Sequence, residues 1–208
     1  MHFYGTTCTI CISVNDTLIH GIPSKKIILR DGDIVSLDVG ATYQGYCGDA
    51  CRTYPVGICK ESALRLIKVT EESFFEAIKV VKDGALLGDV SATIQEYNEK
   101  HGYSLPRDYT GHGIGTHLHE DPQIPNYGRR GTGSRFREGM VIAIEPMITL
   151  GNREVVFESD GWTCRTADYS PAAHMEHDVA ITENGPEILS SFDSIEKAIK
   201  QNINLEEI

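Results

Sequence analysis

The sequence predicts an α+β fold, with helices packed on a largely antiparallel sheet. Three observations carry this. Strand-like runs joined by turns fill residues 8–58, two amphipathic helical stripes follow over 61–82 and 89–101, and strands and loops return over 104–189. The first block divides into runs at 9–14, 34–41 and 45–53, separated by turn signals at Asn15-Asp16 and Asp31-Gly32-Asp33 and closed by Gly57. Asp38 and Asp49 fall on neighbouring strands of one hairpin, where they are expected to face each other as a cross-strand pair.

The first helix shows Ala63, Ile67, Thr70, Phe74, Ala77 and Val81 at three- and four-residue intervals, one apolar stripe suited to core packing. The second is expected to start at Asp89 as N-cap, to turn Val90, Ile94 and Tyr97 inward, and to stop at Gly102. Pro186 is expected to end the second strand block. Asp193 or Ser194 then caps a last amphipathic helix carrying Ile195, Ala198, Ile199 and Ile203.

The chain has 208 residues, 40% apolar and 24% charged, as for a globular protein with a sizeable core. Its net charge of −11 argues against nucleic acid or an anionic membrane as main partner. No apolar run reaches bilayer-spanning length, and the first residues lack a basic and apolar leader, so a cytoplasmic protein is expected. Its six cysteines should then be mostly free thiols. Cys8 and Cys11 have CxxC spacing, but with no second such pair and a strand following, a redox or zinc role is disfavoured.

The chemistry lies in acidic residues where a soluble chain should least want them. Asp38 interrupts the apolar run 34–39, and Glu145 interrupts 140–148. A lone buried carboxylate costs several kcal/mol unless a positive or hydrogen-bonding group meets it, and no basic residue stands beside either. Gly111-His-Gly-Ile-Gly-Thr-His-Leu-His-Glu-Asp-Pro122 places His112, His117 and His119 within eight residues, amid glycines that permit close backbone approach. The helical HExxH zinc-protease layout is absent. Pro146 holds Glu145 extended, and Glu176 precedes the strand-like Val179-Ala-Ile181.

Asp38, Asp49, His112, Glu145 and Glu176 together make four carboxylates and one imidazole. Packed without cations, such carboxylates repel and some must protonate. Two divalent ions about 3.5–4 Å apart relieve that repulsion. An oxygen-rich set with one nitrogen suits manganese, iron(II), cobalt or zinc better than copper. Such ions acidify water near neutral pH, which implies hydrolysis of a carbonyl or phosphoryl substrate.

From about Cys11 to Leu189, the chain resembles the type I methionine aminopeptidases, of the pita-bread fold shared with prolidases and aminopeptidase P. The motifs that carry the resemblance are His20-Gly-Ile-Pro23, Asp38 followed by Gly48-Asp49, Gly111-His-Gly-Ile-Gly115 with His119-Glu120, Ile144-Glu-Pro146, and Glu176-His177. The short loop Asp121-Pro-Gln-Ile-Pro125 and the lack of an inserted helical subdomain favour type I over type II. The resemblance implies a curved antiparallel sheet covered by helices, and a single catalytic domain over 1–190 with a helical extension over 191–208. It implies that Asp49, His112, Glu145 and Glu176 hold a first metal, and that Asp38, with Asp49 and Glu176 bridging, holds a second. His119 would bind the scissile carbonyl, Glu145 would shuttle protons from the attacking water, and His20 would serve the leaving amide nitrogen. Cys11, Leu118 and Trp162 would line a methionine pocket. The implied substrate is a nascent polypeptide, met at the ribosome, with initiator methionine before a small residue.

Several residues depart from the family pattern. Leu118 stands where an aromatic is usual, Ala172-Ala-His174 replaces Ser-Ala-Gln, and Asp178 replaces Thr. The family's first helical segment has no counterpart, which would leave a sheet face open. A truncated front is the favoured reading, the others being a face covered by a partner or by self-association, or a last helix at 194–204 that substitutes. Two other readings stay open: an Xaa-Pro peptidase, which usually carries Arg where Ala173-His-Met precedes Glu176, and an inactive binding protein on the same shell.

Overall fold

The computed structural model describes residues 9–201. Among them, eight strands form one antiparallel sheet. In chain order these are β1 (Cys11–Val14), β3 (Ile34–Tyr43), β4 (Tyr46–Pro55), β5 (Thr110–Gly113), β6 (Glu120–Pro125), β7 (Val141–Ile144), β12 (Glu176–Thr182) and β13 (Gly185–Ile188). Their spatial order is β1-β3-β4-β12-β7-β5-β6, with β13 paired to β12. β2 (Thr17–Ile19), β9 (Val155–Phe157) and β10 (Cys164–Thr166) form a second sheet, and β8 (Met147–Thr149) pairs with β11 (Ala172–His174). β2 went unread in the sequence, since three residues cannot display a period.

Helices α1 (Glu61–Ile78) and α2 (Leu87–Lys100) cover one face of the large sheet. Leu66, Phe74 and Ile94 meet Ile142, Ile144 and Val179 in the main core. Each such fully buried side chain contributes about 1.5–3 kcal/mol. α1 is shorter than the stripe predicts: the N–H groups of Val80 and Val81 bond the carbonyls of Ala77 and Ile78, so the last turn tightens while Val81 keeps its core position. α2 starts two residues before Asp89, after Leu86. The Asp89 carboxylate instead accepts the Gly131 N–H at 2.8 Å, a tertiary bond that overrides capping. Pro186 does not end the strands but sits in β13, opposite Ile181, at a sheet edge where a missing N–H is tolerated.

α3 (Asp193–Gln201) ties to β4 through Arg52–Glu196 at 3.1 Å but buries none of its own residues. It therefore covers little of the sheet; Val39 stays 43% exposed, and Tyr43 and Tyr46 at the hairpin tip are exposed too. Ile203 lies outside the described residues, as does Cys8.

Asp38 and Asp49 are not directly opposed. The two-residue turn Gln44-Gly45, both at positive φ, sets a register in which Asp38 faces Cys51 and Asp49 faces Gly40. The two carboxylates are diagonal neighbours on one face. Register then runs Cys11–Asp38–Cys51–Glu176 across four strands, and Asp178–Ala143–His112 across three. Two-residue alternation puts these on the face away from α1, while His177 turns back against Phe74, ring to ring at 5.1 Å.

Close strand approach at β5 depends on glycine: a Cβ on Gly111 would lie 2.4 Å from the Ala143 carbonyl oxygen. Gly111→Ala is expected to cost about 1–3 kcal/mol by forcing β5 and β7 apart beside His112. A lowered urea midpoint at unchanged m-value checks this.

Candidate metal centre

The rows converge on a cavity of about 270 Å³. Among its lining residues are Asp38, Asp49, His112, Glu145 and Glu176, with His20, His119, Trp162 and His174 around them. Of the ten residues expected at the site, Cys11 and Leu118 are not in its lining. Cys11 is buried opposite Asp38, and Leu118 is half-buried on the loop between β5 and β6.

Asp49, His112 and Glu176 are buried, and each offers a donor atom within 4.8 Å of the others. His112 Nδ1 lies 2.9 Å from the Gly113 carbonyl, which can only accept. The proton is therefore on Nδ1, and the Nε2 lone pair faces Glu145 Oε1 at 3.4 Å and Glu176 Oε1 at 4.0 Å. A backbone-anchored imidazole with its other nitrogen free is how proteins orient metal-ligating histidines. Asp38 and Glu145 stand around this closest set. Glu145 follows β7 at the Glu-Pro step, and the Asn126 amide pins its backbone carbonyl at 2.9 Å.

The electrostatics are those of a crowded acidic cluster. Burial, then Asp38, Glu145 and Asp178, push Asp49 up to about 8. Burial raises Asp38 to about 6, Glu145 adding to it and His174 opposing. Glu145 and Glu176 are driven well above the carboxylate range, chiefly by burial. Burial lowers His112 and His174 to about 4, keeping both imidazoles neutral. Among the described residues, no Lys or Arg lines the cavity. Carboxyl groups that repel one another when ionised, beside neutral imidazoles and without basic partners, suit divalent cations.

At the cavity rim, His20 has φ +62, an uncommon conformation for a side chain of this size. Its ring stacks on Trp162 at 4.2 Å and meets Tyr109 edge-on at 5.5 Å. Burial, and after it the neighbouring His174, lower it to about 4. His119 is exposed, its ring edge-to-face with His112 at 4.3 Å. His117 points outward to Glu120 at 3.6 Å and takes no part.

Sequence reading missed Tyr109, Asn126 and Thr53. Thr53 lies two residues past Cys51, so alternation alone places it on the site face. Asn126 carried no local signal, since its role depends on the β6–β7 packing. Asp178, visible only as a departure, is buried and accepts the Asp49 N–H on Oδ2 at 2.8 Å.

Fold and site together define a metallohydrolase of the pita-bread class. The chain belongs to metallopeptidase family M24, whose family model matches residues 1–183. It is 53% identical over 186 residues to the methionine aminopeptidase of Clostridium acetobutylicum, covering 89% of this chain and 74% of that one. It is 47% identical over 188 residues to methionine aminopeptidase 1 of Bacillus subtilis, covering 90% and 75%. The crystal structure of the methionine aminopeptidase of Thermotoga maritima matches with TM-score 0.88 at 53% identity, covering 90% of this chain and 76% of that one. The prolidase of Pyrococcus furiosus matches less well, with TM-score 0.71 at 29% identity, covering 88% and 49%.

Proposed function

We propose that this chain is a divalent-metal-dependent aminopeptidase that removes an N-terminal methionine standing before a small residue. The observation that carries this reading is the convergence of Asp49, His112 and Glu176 donor atoms within 4.8 Å on the floor of a cavity. Four carboxylates there match two ions, with cobalt, manganese, iron(II) or zinc as the suited metals. Asp49, His112, Glu145 and Glu176 would hold one, and Asp38 with Asp49 and Glu176 would hold the other. Bound divalent cations supply Lewis acidity, polarising the peptide carbonyl and acidifying water.

The protein's own groups perform the rest. His119, at the mouth, donates a hydrogen bond to the carbonyl oxygen as negative charge develops there. Glu145, lining the cavity beside the metal-site donors, is suited to take a proton from the attacking water. His20, held by Trp162 and Tyr109, stands at the rim to serve the departing amide nitrogen. Trp162 is the apolar wall for a thioether side chain. The substrate is a newly made polypeptide, met in the cytoplasm as it leaves the ribosome. Residues 1–190 act as the catalytic unit.

Much higher identity to methionine aminopeptidases than to prolidase favours methionine over Xaa-Pro cleavage. Assay of Met-Ala-Ser, Met-Leu-Ser and an Xaa-Pro peptide tests the choice. Methionine release from Met-Ala-Ser that stops with chelator is expected. Cleavage only before proline, or no turnover by a folded, metal-loaded protein, would refute the reading. His119→Ala should lower kcat by about 10²–10³-fold. Metal content should stay at the parent's value, measured by atomic absorption.

A further inference from the structure

We propose that His174 is itself a metal-ligating residue, its imidazole joining Asp38 and Glu145 Oε2 in a nitrogen-containing cation position beside the Asp49–His112–Glu176 cluster. The inference rests on the reading of this cavity as a divalent-metal site; it adds His174 as a donor and gives Glu145 a place in both positions, one oxygen toward each.

The first argument is an orphaned atom. His174 is 3% exposed, and its Nε2 is fully enclosed with no hydrogen-bond partner among the described residues. Leaving such a nitrogen unmatched costs about 1–3 kcal/mol, so a native site that keeps one calls for a partner. The second argument is spacing. The His174 Nε2 faces Glu145 Oε2 at 3.5 Å, too long for a good hydrogen bond. Two donors that share one cation at about 2.0–2.2 Å each stand roughly 3–3.6 Å apart. The His112 Nε2 to Glu145 Oε1 distance of 3.4 Å falls in the same range. Glu145 thus lies between two imidazoles, one oxygen toward each.

The third argument is rigidity. Thr53 Oγ1 donates to the His174 carbonyl at 2.8 Å and accepts its N–H at 2.9 Å. Ser36 Oγ holds that hydroxyl from the far side at 2.8 Å. A ligand presented from a fastened backbone keeps its place when the cation leaves. Where the family pattern has an amide, this chain therefore brings a second nitrogen, which shifts preference from manganese toward cobalt and zinc.

X-ray absorption at the zinc edge of the full chain, loaded with two equivalents, tests this by counting imidazoles. The parent should fit two imidazoles per two ions. His174→Gln should fit one, with one of the two zinc-binding steps weakened about tenfold or more in titration calorimetry. His112→Gln, run in parallel, should also lose one. An unchanged imidazole count and unchanged affinities in His174→Gln, while His112→Gln loses its imidazole, would overturn the proposal and leave the metal reading intact. A parent that binds no zinc would sink both. If His174→Gln does not fold, the cobalt-loaded parent decides alone: two strongly shifted imidazole N–H proton resonances support the proposal and one overturns it.

Discussion

Glu176→Gln is expected to abolish tight divalent-metal binding and turnover together, while making the metal-free protein more stable at alkaline pH. Glu176 begins β12 at the centre of the sheet, opposite Cys51, and contributes one of the three closest donor atoms. Glutamine keeps the shape and one acceptor oxygen but loses the negative charge that holds a cation. Affinity should fall beyond the roughly 10–100-fold typical of losing a supporting partner. Turnover should drop on the order of 10,000-fold, as for an essential group in a catalytic unit. Stability moves the other way because Glu176 is crowded by Asp49, Glu145, Asp38 and Asp178. Removing one member relieves repulsion that nothing else offsets when no cation is present. Metal titration calorimetry, peptide assay and thermal melts at pH 9 in chelator check the three parts. Parent-like metal affinity in the variant would contradict the site assignment.

The metal-free protein should lose stability as pH rises from about 6.5 to 9, reversing the usual acid sensitivity. Asp49, raised to about 8, and Glu145 and Glu176, raised further above their usual range, hold protons in the folded state that the unfolded chain has released. Their stabilising contribution is complete below the unfolded values of 3.8 and 4.5 and is lost as pH climbs through the folded ones. His20, His112 and His174, lowered to about 4, act oppositely between pH 4 and 6.5, where only the unfolded chain takes up their protons. Above 6.5 the histidines are silent and the carboxylates alone set the slope. Each excess proton held by the folded state costs about 1.4 kcal/mol per pH unit. Saturating manganese or zinc replaces those protons, so the decline should flatten or reverse. Urea midpoints at pH 6.5, 7.5 and 9, in chelator and in metal, measure it. A flat profile in chelator would mean the carboxylates are not crowded as described.

What the sequence disclosed was whatever is written locally. Asp38 and Glu145 stood out because charge inside an apolar run has no cheap structural explanation, and the glycines around His112 announced close backbone approach. The stripes of α1 and α2 were legible because their period extends over several turns. Register was not: whether Asp38 meets Asp49 directly depends on the two residues of a hairpin turn, and one step changes every pairing. Asp89 read as a cap until a loop forty-two residues away supplied Gly131 as its partner. Asn126 and Tyr109 act on Glu145 and His20 across strand boundaries, and no spacing rule connects them; alternation puts Thr53 on the site face but does not name His174 as its partner.

Anomalous diffraction from crystals of the full chain soaked in zinc or manganese locates the cations themselves. The strongest peak should lie about 2.0–2.2 Å from donor atoms of Asp49, His112 and Glu176. A cavity that stays empty at saturating metal, or a peak bound only to surface carboxylates, would contradict the account.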